Sequence, residues 1–214
     1  MIKYNSFFLK GLSDLGFTLS NEQTKQFFDF TNLLLEWNEK INLTSIVDIR
    51  EIIIKHFFDS IAPLTYLIKN NILRKNQKII DMGAGAGFPS IPIKILFPDF
   101  NIFLSEVNKK KLRFLSEVIN LLKLDCPLLD PSQEKIFPIY NIILVRAFGN
   151  LNKIHTEAKK YISKGKIIAY KGKLSKINDE LSECNFKKSV IKEINVPLLS
   201  QERHVVIVNI PKTS

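Results

Sequence analysis

Cysteine is nearly absent. Cys126 and Cys184 are the only two in 214 residues, far apart and outside any Cys-x-x-Cys or Cys/His spacing. That rules out a disulfide framework and a structural zinc site, and both thiols read as packing residues. Nor does any apolar run approach the roughly 18 residues that a membrane-spanning helix requires. The opening Met1-Ile2-Lys3-Tyr4-Asn5 lacks a long apolar stretch with a small-residue cleavage site, so a cytoplasmic protein with no membrane partner is expected. Arginine is scarce: Arg50, Arg74, Arg113, Arg146 and Arg203 stand against 26 lysines. Internal repeats and low-complexity tracts are missing as well.

What is present is an ordinary globular composition, 45% hydrophobic and 24% charged, which buries a sizeable core and excludes a disordered chain. The net charge of +10, from 31 basic against 21 acidic residues, permits an anionic partner such as RNA. A bias toward Lys, Asn, Ile and Phe would give the same charge without function. Against that bias the five arginines stand out, because a planar five-donor fork does what lysine cannot.

Two textures follow one another along the chain. Residues 1 to about 75 read as a helical N-terminal region. Ser20 and Gln23 make a capping-box pattern opening an amphipathic run with Phe27, Leu34 and Trp37, ending near Asn38. A second start at Asp48, with Glu51 three residues on, leads through Ile52, Ile53, His56 and Phe57, and Pro63 is expected to break or restart that helix. Residues 76–214 alternate short apolar runs with helical patterns, the mark of βαβ units and a mostly parallel sheet. Strands are expected near Lys78–Met82, Ile102–Glu106, Pro127–Leu129, Ile142–Val145, Lys166–Tyr170, Val190–Val196 and Val205–Ile210, the last two as an antiparallel pair at one end. Crossover helices are expected at Ile91–Phe97, Lys109–Leu122, Leu151–Tyr161 and Leu174–Cys184, with Asn150 as an N-cap and Gly165 as a stop.

The strongest chemical signal is Lys78-Ile79-Ile80-Asp81-Met82-Gly83-Ala84-Gly85-Ala86-Gly87-Phe88-Pro89. An apolar strand enters three alternate glycines and then a helix beginning at or just after Pro89, where proline suits the first turn. Glycines let backbone approach a ligand at the carboxyl edge of a parallel sheet. The spacing fits neither Gly-x-Gly-x-x-Gly, since the third position is Phe88 or Ser90, nor a Gly-x-x-x-x-Gly-Lys-Ser/Thr phosphate loop. Asp-x-Gly-x-Gly-x-Gly instead resembles motif I of class I S-adenosylmethionine-dependent methyltransferases, which implies Asp81 near the charged methionine part of that cofactor. Glu106 ends the next strand, where a carboxylate accepts hydrogen bonds from a ribose diol; capping the Lys109-Lys110-Lys111 helix is its plainer role. The lysine run is either a solvated face or an RNA patch.

Further motifs then fall in one order: Asn42-Leu43-Thr44, His56-Phe57-Phe58-Asp59-Ser60, the glycine loop, Lys110-Lys111-Leu112-Arg113-Phe114-Leu115, Arg146-Ala147-Phe148, Lys171-Gly172 and Glu202-Arg203-His204. From about Ile41 to Val208 the chain resembles the RsmG (GidB) family. The resemblance implies an α/β fold of the class I methyltransferase (Rossmann-like) type, mostly parallel with an antiparallel end strand. It also implies S-adenosyl-L-methionine as cofactor, 16S rRNA or the small ribosomal subunit as partner, and methylation at N7 of a guanine in the 530 loop. Cofactor-binding candidates are Asp81, Gly83, Gly85, Gly87, Phe88, Glu106, Glu134, Lys135 and Arg146; substrate-binding candidates are Arg146, Phe148, Lys171, Arg203 and His204. The family usually carries Arg-x-Glu near the adenine, whereas this chain has Pro131-Ser132-Gln133-Glu134-Lys135, so Glu134 and Lys135 are positional candidates only. Pro89-Ser90 likewise stands where the family favours Pro-Gly.

Guanine N7 carries a lone pair and no proton, so direct in-line methyl transfer needs no general base, and no acid or base residue is assigned. A cation at N7 would hinder the reaction, which leaves O6 or a phosphate for Arg146 or Lys171. The target base is expected to leave its stack, against Phe88 or Phe148 unless those rings serve the core. His56 and Asp59, three apart on one helix face, read foremost as hydrogen-bonding residues between the two regions. No metal site is assigned, Arg113 reads as structural, His155 as a surface residue, and a monomer is expected.

Overall fold

The computed structural model describes residues 2–133, 139–183 and 189–211. Its centre is a seven-stranded sheet: β1 (Lys78–Met82), β2 (Asn101–Ser105), β3 (Leu128–Leu129), β4 (Ile142–Arg146), β5 (Gly165–Lys171), β6 (Ser189–Glu193) and β7 (His204–Ile210). The spatial order is β3-β2-β1-β4-β5-β7-β6. The first five are parallel, while β7 runs antiparallel to both β5 and β6. Strands buried on both faces need near-continuous apolar sequence, and Ile79-Ile80, Ile142–Val145 and Val205–Val208 supply it.

Alternation along each strand assigns the faces. Ile80, Met82, Ile143, Val145, Ile167 and Val206 pack with Leu151 and Ile154 of α7 (Leu151–Ala158) and Ile177 of α8 (Leu174–Ser182). Ile79, Ile102, Leu104, Leu144 and Ile168 share the other core with α5 (Ser90–Leu96), α6 (Lys109–Leu122) and the N-terminal helices α1 (Asn5–Asp14) and α2 (Asn21–Ile41). One glutamine ties those layers: Gln23 closes both bonds of the capping box with Ser20 and also donates to the Ile95 and Leu96 carbonyls at the end of α5.

Several boundaries differ from the sequence reading. Pro63 breaks nothing. From the Asp48 cap one helix runs through α3 (Ile49–Ile52), a π-helical stretch (Ile53–Phe58) and α4 (Asp59–Lys69), with Pro63 inside. Burial of Ile61, Leu64 and Leu67 around it offsets the missing hydrogen bond. In the widened turn the Asp59 N–H reaches back five residues to the Ile54 carbonyl. Helix α2 runs to Ile41, where left-handed Asn42 ends it. Gly165 caps no helix, since α7 already ends at Ala158 and Gly165 opens β5. A Cβ there would lie 2.1 Å from the Asn141 carbonyl oxygen, so close backbone approach explains the glycine. Asn150 does cap α7, accepting from the Lys153 N–H at 2.9 Å. Cys126 is buried, and that burial pushes its thiol up to about 12; Cys184 lies outside the described residues.

Candidate active site

At the carboxyl edge of the sheet the β1 loop turns through Gly83, Gly85 and Gly87 with φ of +76°, +58° and +86°. The three glycines do different things. A Cβ on Gly83 would strike the Phe148 ring at 2.5 Å and one on Gly87 would strike Ile91 at 2.6 Å, whereas one on Gly85 would meet only the Gly83 carbonyl oxygen, in ordinary contact at 3.8 Å. Gly85 therefore presents bare backbone to a cavity of about 520 Å³, lined also by Gly83, Ser105, Glu106, Lys111, Ser132, Phe148 and Tyr161. Glu106 follows β2 directly and is no helix cap, because Asn108 caps α6. Its Oε2 accepts from the Gly85 N–H at 3.0 Å and its Oε1 from those of Val107 and Asn108 at 2.8 Å. A carboxylate accepts about four hydrogen bonds, so a lone pair remains for a ligand.

Behind the loop Asp81 is fully buried, and neither of its carboxylate oxygens makes a hydrogen bond of good geometry; the Ser90 hydroxyl and N–H beside it interact with it only weakly. Burial pushes the Asp81 carboxyl up to about 7, against the pull of Ser90 and Arg146. A buried carboxylate so weakly satisfied is costly, which marks a place where a cationic ligand group or its water would be welcome.

A second cavity, of about 440 Å³, adjoins the first, and Ala147 and Phe148 line both. Ala147 has φ +57°, an uncommon conformation outside glycine, in the turn where β4 delivers Phe148 between the two cavities. Arg146 ends β4 beside Tyr170 of β5, on the face covered by the π turn. It donates to Asp59 Oδ2 at 3.1 Å and to the Lys55 carbonyl at 3.4 Å, with Nη2 at 3.3 Å from His56 Nδ1. Arg203 donates through Nε to Asp59 Oδ1 at 2.8 Å. Tyr170 Oη donates to the Ser60 carbonyl at 3.1 Å and, with the two arginines, fastens the helical layer to the sheet edge, while Thr44 holds His56 at 2.9 Å from within that layer.

His56 is held neutral, its imidazole pushed down to about 3 by burial first and by Arg146 next. Since a guanidinium only donates, His56 Nδ1 accepts, which puts the proton on Nε2 facing Thr44 Oγ1. The widened turn brings His56 and Asp59 onto this one arginine. Sequence reasoning missed that turn, together with Thr44 and Tyr170 as partners. Thr44 was visible only through its place in the Asn42-Leu43-Thr44 motif, and Tyr170 carried no signal.

The candidate residues are distributed as follows. Gly83, Gly85 and Glu106 line the first cavity, Arg146, Lys171 and Arg203 the second, and Phe148 both. Gly87 packs on Ile91. Phe88 lines neither: it is core, stacked on His56 at 4.5 Å with the Arg146 guanidinium over its ring at 5.0 Å. The apolar helical layer gives a ring after the loop more to bury against than the cavity does. Lys171 is pinned to the Gly149 carbonyl and Glu180, both at 2.7 Å. His204 is buried against the Gly172 carbonyl at 2.7 Å and supports that loop from behind. Arg113 is exposed on α6, over a shallow groove, and makes no hydrogen bond or ion pair with another described residue. His155 is half-buried. Glu134 and Lys135 lie outside the described residues. Among the described residues no cluster of three or more His, Cys, Asp or Glu side chains is placed to hold a metal, and no helix is long and apolar enough to cross a membrane.

Residues 23–206 match the sequence family described as rRNA small subunit methyltransferase G. A ribosomal RNA small subunit methyltransferase G of Lactobacillus johnsonii is 36% identical over 217 residues, covering 94% of this chain and 89% of the relative. The protein of that name from Caldanaerobacter subterraneus is 32% identical over 212 residues, covering 94% and 87%. Among solved structures, a methyltransferase from Pyrococcus furiosus superposes with a TM-score of 0.53 at 16% identity, covering 71% of this chain and 83% of that one. The tRNA (m1A58) methyltransferase TrmI of Aquifex aeolicus gives 0.53 at 13% identity, covering 73% and 69%. At those identities the likeness bears on the fold alone.

Proposed function

This chain belongs to the rRNA small subunit methyltransferase G family, and on that premise we propose that it methylates N7 of a guanine in the 530 loop of 16S rRNA. S-adenosylmethionine supplies the methyl group when bound. The residues at the β1 loop suit that donor: the buried, weakly satisfied Asp81 carboxylate complements positive charge, Gly85 leaves room for backbone contact, and Glu106 keeps acceptor capacity for a ribose. The observation that carries the reading is the pair of adjoining cavities, one walled by the glycine loop and the other by cationic side chains, with Ala147 and Phe148 common to both.

In this reading Phe148 offers a ring to a purine turned out of its stack, and Lys171 and Arg203 meet the RNA. No side chain need take a proton, because N7 has none. His56 fits that requirement: it is neutral and occupied at both nitrogens, so it orients Arg146 instead of acting as a base. Arg146 is spent on Asp59, Lys55 and His56, which keeps its charge turned away from N7. The test is to incubate the pure protein and donor with small subunits from cells lacking the gene, then map 7-methylguanosine by mass spectrometry. A single new 7-methylguanosine in the 530 loop is expected; modification elsewhere, or none, contradicts the reading.

A further inference from the structure

A pocket for one guanine must refuse adenine while leaving N7 bare. The arginine contact that grips guanine through O6 and N7 together would occupy the nucleophile, so recognition has to come from the Watson–Crick edge. That edge presents an acceptor, O6, followed by two donors, N1–H and the N2 amino group. Adenine presents the reverse, a donor at N6 and an acceptor at N1.

The second cavity holds a matching edge. Asp59 is the single carboxylate among its described lining residues. Each Asp59 oxygen accepts one arginine hydrogen bond, from Arg146 at 3.1 Å and from Arg203 at 2.8 Å. A carboxylate takes about four, so one site per oxygen remains. The two arginines are not equivalent. Arg146 has both terminal nitrogens engaged, whereas Arg203 uses Nε on Asp59 and Nη1 on the Glu202 carbonyl at 3.0 Å and keeps Nη2 without a hydrogen-bond partner among the described residues. Arg203 is also the more exposed, at 27% against 14%. A donor thus stands beside two acceptor sites, in the order complementary to guanine and opposed to adenine.

Building on the methyltransferase reading above, we propose that Asp59 and Arg203 form the guanine-reading edge of this enzyme. Asp59 accepts from N1–H and the N2 amino group of the extruded base, Arg203 donates to O6, and N7 stays unbound. Arg146 is then a positioning residue that holds the Asp59 carboxylate.

The test uses reconstituted small subunits whose ligated RNA carries guanosine, inosine or adenosine at the methylated position. Inosine keeps O6, N1–H and N7 and lacks only the N2 amino group. For the wild-type chain, kcat/KM is expected to fall tenfold or more with inosine, as loss of a hydrogen bond to a charged group implies, and further with adenosine. In Asp59→Asn, checked for retained S-adenosylhomocysteine binding, the guanosine-to-inosine ratio is expected to collapse toward one. A wild-type enzyme that treats inosine within twofold of guanosine overturns the proposal, whatever the variant's fold. So does an Asp59→Asn enzyme that slows equally on both, the mark of a purely structural carboxylate. Failure of the activity itself is separate: no methylation of the guanosine subunits, despite donor binding, removes the reading on which the edge depends.

Discussion

Asp81 and His56 are two buried groups whose titrations oppose each other. Asp81 is pushed up to about 7, so the folded chain keeps a proton that the unfolded carboxyl releases near its ordinary value of about 4. Stability from this group is therefore full at low pH and falls as pH climbs from about 4 to 7. His56, pushed down to about 3, has the opposite slope: the unfolded imidazole gains a proton below about 6.5 and the folded one does not, so stability falls as pH drops through that range. Between about pH 4 and 6.5 the two slopes oppose each other in the wild type. Asp81→Asn lifts one of them and is expected to be more stable than wild type at pH 8, by on the order of 4 kcal/mol at most, with little gain at pH 4. Urea unfolding of both proteins at the two pH values measures it, and an equal gap at both would contradict the burial argument. Arg146→Ala is expected to fold, since Arg203 still pairs Asp59, yet to lose methylation at least tenfold in kcat/KM. Full turnover would remove Arg146 from the site.

At the scale of elements, the glycine loop separates space from strain. Gly85→Ala meets no side chain, so only the left-handed φ penalises it, by about 1–2 kcal/mol; Gly87→Ala adds a collision with Ile91 and is expected to cost more. Thermal unfolding ranks the two, and Gly85→Ala at equal or lower stability than Gly87→Ala would contradict that division of roles. The strand–glycine–helix unit was legible because apolar period, glycine and proline lie next to one another in sequence. Strand order beyond neighbours, and β7 inserting between β5 and β6, was not, because pairing partners far apart in sequence leave no local pattern. The π stretch escaped for a related reason: Ile53 to Phe58 has ordinary helical propensity, and the widened turn is imposed by what His56 and Asp59 meet across the fold. Phe88 shows the limit of motif reading, since position in a motif said nothing about which way the ring would pack.

For the whole molecule, a helical layer and a sheet share one core, and their seam carries the second cavity. Binding to ribosomal RNA draws on the net charge of +10, so affinity is expected to fall steeply with added salt, its logarithm linear in the logarithm of the salt concentration, while donor affinity changes little. The claim on which everything else depends is that the cavity at Gly85 and Glu106 takes the methyl donor. Calorimetric titration with S-adenosylhomocysteine tests it most directly: saturable binding is predicted for the wild-type chain, weakened tenfold or more in Gly85→Ala and Glu106→Ala. Absence of heat in the wild type, or equal affinity in all three proteins, would contradict it.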